Sequence, residues 1–246
     1  MSTQLQIKQY FLLLCLLIAA FGTQAQNLQN EPDNSIPDNH ERWYQVEMIV
    51  FSRNESSAAQ QEAWPKNIKL AYPLNLVTLK SADVNDPAGF TMLKPNDRQL
   101  NAQAATIAKS GSYTLLFHQA WRQMIYGKKT SILINGGKTF NGHQELEGSI
   151  DLSVAQFLKF QTNLWLTQFV SAQAASTIGN ELEGWPELPA IPNVESTTND
   201  QPADFVTKRI VKINQQRSMR SVEVHYIDHP LFGIIIKIVP YDAPNL

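Results

Sequence analysis

Trp43 to Ser52 reads WYQVEMIVFS. The run is rich in aromatic and β-branched residues. Tyr44, Val46, Met48 and Val50 fall on one side of an extended chain, and Trp43, Gln45, Glu47, Ile49 and Phe51 on the other. One side is wholly apolar and the other mostly so. The stretch therefore predicts a strand with one fully buried face and one mostly buried face. Order is expected to begin at about Arg42, because residues 26–41 are polar, carry Pro32 and Pro37, and show no periodicity.

Other segments fit around this strand. Residues 54–90 are loop-rich, punctuated by Pro65, Pro73 and Pro87. Asn96 to Ser110 has helical spacing, with Leu100, Ala104, Ile107 and Ala108 on one face, Asn96 or Asp97 as the cap and Gly111 at the end. Tyr113 to Gln123 and Thr130 to Ile134 read as strands, the second ending at the turn Asn135-Gly136-Gly137. Glu145 to Val154 alternates, with Leu146, Ile150 and Leu152 inward and Glu145, Glu147 and Asp151 outward; Phe160 to Val170 can return on it as a hairpin.

Residues 171–203 hold Pro186, Pro189, Pro192 and Pro202 and read as a mobile surface insertion with Trp185-Pro186 pinned. Asp204 to Gln216 is read as a second helix carrying Phe205, Ile210 and Ile213. Arg220 to Ile227 and Leu231 to Val239 form a last hairpin through Asp228-His229-Pro230. The sum is an α+β domain over 42–243, a mostly antiparallel sheet of about six or seven strands with two helices.

The N-terminus reads as an export signal. Lys8 precedes the apolar run Tyr10 to Phe21, 12 residues long, and Thr23-Gln24-Ala25 sets small residues at −3 and −1 of a cleavage site after Ala25. The run is too short to span a bilayer, and no later run approaches that length. Cys15, the only cysteine, leaves with the signal, so the mature domain has no disulfide, thiolate metal site or thiol nucleophile. Without Lys8, 19 of the 20 basic residues remain against 22 acidic ones. That balance argues against a general nucleic-acid or anionic-membrane surface.

Catalytic patterns are missing from the sequence. There is no GxSxG, HExxH, Walker loop or dinucleotide turn. His225, Asp228 and His229 could in principle bind a divalent metal, but Asp before a turn and His before Pro230 have ordinary backbone roles, so no metal and no cofactor is assigned. Glu145 and Glu147 share one side of a strand, yet with Asp151 they form a polar stripe and not an acid pair across a cleft. The aromatic residues point to recognition. Trp121-Arg122-Gln123 joins an indole to hydrogen-bonding neighbours, the pairing that stacks on sugar rings, against the alternative that Trp121 fills the core. Arg209, Lys212, Arg217 and Arg220 form a basic segment able to meet carboxylates.

Four segments taken in order resemble the CsiV family of periplasmic proteins. They are Arg42 to Phe51; Tyr113 to Gln123 (YTLLFHQAWRQ); Glu145 to Leu152 with the paired strand ending Leu164-Trp-Leu166; and Arg217 to Gly233, which holds His225-Tyr-Ile-Asp-His-Pro-Leu-Phe-Gly233. The resemblance implies a non-catalytic peptidoglycan-binding protein with a role in cell-shape integrity. It also implies a partner, an outer-membrane lipoprotein that activates a class A penicillin-binding protein. It brings no binding residues with it. Candidate ligand contacts are therefore placed on matching segments by their chemistry: Trp121, Arg122, Gln123, Arg217, Arg220, His225, Asp228 and His229. Two other readings are an envelope adaptor that touches glycan weakly and a hydrolase built on His225, Asp228 or the Glu145/Glu147 pair.

Overall fold

The computed structural model describes residues 42–54, 64–79, 90–192 and 204–242. The expected export signal and arm, and residues 193–203 of the Pro-rich insertion, lie outside them. Strand β1 (Arg42–Arg53) is central. It pairs antiparallel with β12 (Phe232–Pro240) on one side and with β4 (Tyr113–Ile125) on the other. Val46 to Phe51 are all buried, because each face of β1 meets a different layer. Tyr44, Val46, Met48 and Val50 enter the main core, and Ile49 and Phe51 enter a second one.

The first sheet runs β11 (Val224–Ile227), β12, β1, β4, β3 (Thr91–Met92). The second runs β10 (Gln216–Met219), β8 (Leu158–Ser171), β7 (His143–Val154), β5 (Thr130–Leu133), β2 (Leu76–Val77). Two further strands extend it: β6 (Gly136–Phe140) on β7, and β9 (Phe205–Ile213) on β8. Only β2 with β5 is parallel among these pairings. The main core joins Val46, Trp121 and Ile236 of the first sheet to Ile150, Leu164 and Ile213 of the second. Helix α1 (Asn101–Lys109) covers the opposite face of the first sheet through Leu100, Ala104 and Ile107.

The α+β reading holds, with helices and mostly antiparallel strands, but the strands divide into sheets of five and seven. The expected helix over Asp204 to Gln216 is instead β9 and β10. Val206, Thr207, Ile210, Val211 and Ile213 are β-branched, and the edge of β8 offers them a ladder from Leu164↔Ile213 to Ser171↔Phe205. Ile210 and Val211 are both buried because β9, like β1, has something on each face. The second helix is α2 (Ala172–Ile178), inside the stretch read as an insertion. Ser171 Oγ caps it by accepting from Ala174 N at 3.2 Å.

Helix α1 is capped from outside itself. Asn96 and Asp97 fall in a 3-10 turn (Pro95–Asp97), and the residue at the cap, Leu100, has no side-chain acceptor. Glu47 of β1 supplies it: Oε2 accepts from Gln99 N at 2.6 Å and Oε1 from Leu100 N at 2.9 Å. His118 Nε2 of β4 lies 2.8 Å from the same Oε1. A carboxylate at a helix N-terminus meets both unpaired N–H groups and the positive end of the dipole.

Burial by itself would raise the Glu47 pKa, but the bonds from His118, Leu100 and Gln99 outweigh it and hold the group below its ordinary value. A depressed native pKa gives stability that is complete above the unfolded-chain value and lost as pH falls through the native one. Glu47→Gln is therefore expected to cost about 2–4 kcal/mol in urea unfolding at neutral pH. The deficit should shrink as the pH falls below the unfolded-chain value of about 4.3 and through the depressed native one. An equal deficit at both pH values would show that the charge is not what caps α1.

Candidate functional site

The Asp228-His229-Pro230 turn joins β11 to β12 beside the end of β1, on the face that bears α1. Phe51 lies against Tyr113 edge-on at 5.2 Å and parallel to Tyr226 at 6.5 Å. Gly233 sits opposite Phe51 in the ladder, and a Cβ there would lie 2.6 Å from Phe51 Cζ and 3.0 Å from the Tyr226 hydroxyl. The missing side chain is what lets the two rings close over β12.

Arg53 leaves β1 over this aromatic floor, its guanidinium 5.8 Å from the Tyr113 ring centroid. Its Nη2 donates to the Tyr226 hydroxyl at 2.6 Å and to Asp228 Oδ1 at 2.5 Å, and its Nε donates to the His229 carbonyl at 3.3 Å. The Tyr226 hydroxyl in turn donates to Asp228 Oδ1 at 2.6 Å. The His229 ring is wedged between Trp64 and Phe232, each at 5.3 Å, and its Nδ1 accepts from Leu231 N at 3.2 Å.

The charges follow from these contacts. The Tyr226 hydroxyl, then Arg53, holds the Asp228 carboxyl below its ordinary range despite slight desolvation. Burial, then the bond to Asp228, pushes the Tyr226 phenol up to about 12. The side chains of Arg53 and Asp228 remain 30% and 63% exposed, and Tyr226 is 44% exposed. A cation and a half-exposed ring on strands, with a carboxylate in the turn between β11 and β12, are thus held together and open to solvent. That equipment suits non-covalent recognition of a polar ligand.

A family model described as peptidoglycan-binding protein, CsiV, matches residues 11–241. The chain belongs to the CsiV family. The match takes in every described strand of both sheets. No curated protein and no solved structure matches the chain.

In this CsiV-family fold the sequence-predicted contacts separate. Asp228 and His229 join the Arg53 cluster. His225 does not, since it alternates to the other side of β11 from Tyr226, where its Nε2 lies 3.2 Å from the Arg220 carbonyl. Arg220, 81% exposed, reaches Glu223 at 3.9 Å, and Arg217 Nη2 donates to Gln215 Oε1 at 3.5 Å. Arg122 stacks 3.9 Å from the Tyr241 ring centroid and donates to its hydroxyl at 3.1 Å, well along β4. Among the described residues no three His, Cys, Asp or Glu side chains converge as a metal site would need.

Two placements need correction. Trp121 and Gln123 are core residues, 0% and 1% exposed, and Trp121 Nε1 donates to Gln123 Oε1 at 2.6 Å. Their side of β4 faces the second sheet, so neither presents a surface to a ligand. Glu147, read as solvent-facing, is 0% exposed: its carboxylate accepts from Gln144 N at 3.0 Å and lies 3.2 Å from His143 Nδ1. Outward from β7 is not solvent, because residues 69–72 lie against that face of the sheet.

Arg53, Tyr113 and Tyr226 were missed. Tyr226 lies within the His-Tyr-x-Asp-His-Pro segment and could have been picked out. Nothing in the sequence brings Arg53 to a residue 175 positions away. Replacing Gln123 with Leu should lower stability by about 1–3 kcal/mol, because it strands a buried indole N–H. Ligand binding per folded molecule should not change. A Gln123→Leu protein with an unaltered melting temperature would contradict this assignment.

Proposed function

We propose that this chain is a non-catalytic protein of the periplasm that binds peptidoglycan and modulates cell-wall synthesis. The match to the CsiV family over residues 11–241 carries the reading. The exposed Arg53–Tyr226–Asp228 cluster supports it physically. Arg53 suits the carboxylates of a peptide stem, and the Tyr226 ring with Asp228 suits the ring face and hydroxyls of a sugar. His229 and Gly233 act by position: one anchors the turn, the other lets the aromatic floor close. Among the described residues no helix is long and apolar enough to cross a membrane. An export signal cut after Ala25 is the route to the compartment on this reading.

The outer-membrane lipoprotein that activates a class A penicillin-binding protein belongs to the same proposal. Strand β11 is the edge of its sheet and carries Val224, 52% exposed, beside Val222, 57% exposed. An open edge with apolar side chains can accept an added strand from a protein partner.

Co-sedimentation with purified sacculi at modest salt is the test. The wild-type protein should pellet. Arg53→Ala combined with Tyr226→Ala should weaken binding by about tenfold, or about 1.4 kcal/mol. A wild-type protein left wholly in the supernatant would overturn the proposal.

A further inference from the structure

Trp165 stands on the outer face of the second sheet, away from the main core, yet is 0% exposed. It is cross-strand partner to Glu147 on one side and Lys212 on the other. The three side chains form a row across β7, β8 and β9, spanning about 10 Å at the usual spacing of strands. That is the length of a disaccharide. A carboxylate, an indole and an ammonium in line on a sandwich face can hold sugar rings by stacking and hydroxyl bonds.

Residues 69–72 cover this row. The Tyr72 ring packs on Trp165 at 5.1 Å. Asn163 Nδ2 donates to the Ala71 carbonyl at 2.9 Å and Lys212 Nζ to the Lys69 carbonyl at 2.6 Å. Both donors on the sheet thus take amide carbonyls of the covering chain, the group that an N-acetylated sugar presents on its acetamido arm. Polar atoms of the cover and of this face of the sheet stay unpaired. Trp165 Nε1, Thr167 Oγ1 and the Tyr72 hydroxyl are buried without a hydrogen-bond partner, although Trp165 and Thr167 are 0% and 1% exposed. Such atoms lose their bonds to water and gain nothing in exchange, so the covered state is not the one these groups are best suited to.

We propose that Glu147, Trp165 and Lys212, with Asn163, form a second binding site for the N-acetylated glycan strand, which residues 69–72 occupy with their own amides until glycan displaces them, β2 keeping its place on β5. The site rests on the peptidoglycan reading above and is separate from the Arg53 cluster. In the bound state the acetamido carbonyls replace those of Ala71 and Lys69, the sugar face replaces the Tyr72 ring on Trp165, and hydroxyls reach the free acceptor positions of Glu147.

The experiment uses the full mature chain and two probes: glycan strands stripped of stem peptides by an amidase, and intact sacculi. Ala71→Cys with Asn163→Cys, in a chain whose mature form has no other cysteine, is closed with a short bismaleimide. The same variant before cross-linking is the reference. Cross-linking should weaken binding to stripped glycan by at least about tenfold, or about 1.4 kcal/mol. Tyr72→Ala, checked for an unchanged fold by circular dichroism, should bind glycan several-fold more tightly, and Lys212→Gln more weakly. Equal glycan binding by the linked and unlinked forms would overturn the inference, and so would a Tyr72→Ala protein no better than wild type. If sacculi pellet both forms while stripped glycan binds neither, this site fails and the broader function stands. If sacculi pellet neither, the peptidoglycan reading itself fails.

Discussion

A strand buried on both faces has no room for an unpaired charge, and β1 carries Glu47 in its middle. Desolvating a carboxylate costs several kcal/mol unless donors surround it. Here His118 and the N–H groups of Gln99 and Leu100 do so. The same contacts decide where α1 starts and hold it on the sheet. With α1 in place, Ile49 and Phe51 are covered, and the α1-bearing face of the first sheet ends at the aromatic floor under Arg53. The central strand, the helix layer and the platform of the candidate site thus share one buried carboxylate and its donors.

The candidate site is built from ends of elements: the last residue of β1, the first of β4 and the turn between β11 and β12. Strands β1, β11 and β12 hold these ends in register, so Arg53, Tyr226 and Asp228 meet across a short turn fixed at both ends. A ligand arriving there would spend little of its binding energy on organising the protein. The hydrogen-bond chain from Arg53 through Tyr226 to Asp228 also orients the phenol, which fixes the plane of the exposed ring.

The two sheets manage their outer faces differently. The first buries its outer face with an apolar helix stripe, Leu100, Ala104 and Ile107. The second is covered along the Trp165 row by residues 69–72, which meet it through two backbone carbonyls and one aromatic contact, and buried polar atoms of Trp165 and Tyr72 at that contact lack partners. Apolar covering is hard to displace by a polar ligand, whereas carbonyl-to-side-chain bonds exchange readily for similar bonds to another carbonyl. This contrast is why functional interest attaches to the outer face of the second sheet.

The sequence by itself determined the elements with long, uninterrupted patterns: β1, β4, the β7–β8 hairpin, the β11–β12 hairpin and the apolar face of α1. It determined the family too, through segments such as His225 to Gly233. Alternation says which residues share a face, but not what lies against it. For that reason the pattern turns Glu147 toward water and leaves Trp121 between core and surface. The tertiary structure decides both, by placing residues 69–72 over one and the second sheet against the other. It also turned Asp204 to Gln216 into strand, since the free edge of β8 supplies hydrogen bonds that a local pattern cannot foresee. Arg53 and Asp228 came together for a similar reason: their contact is set by the register of β1 on β12, an interaction between distant parts of the chain that leaves no local mark in either segment.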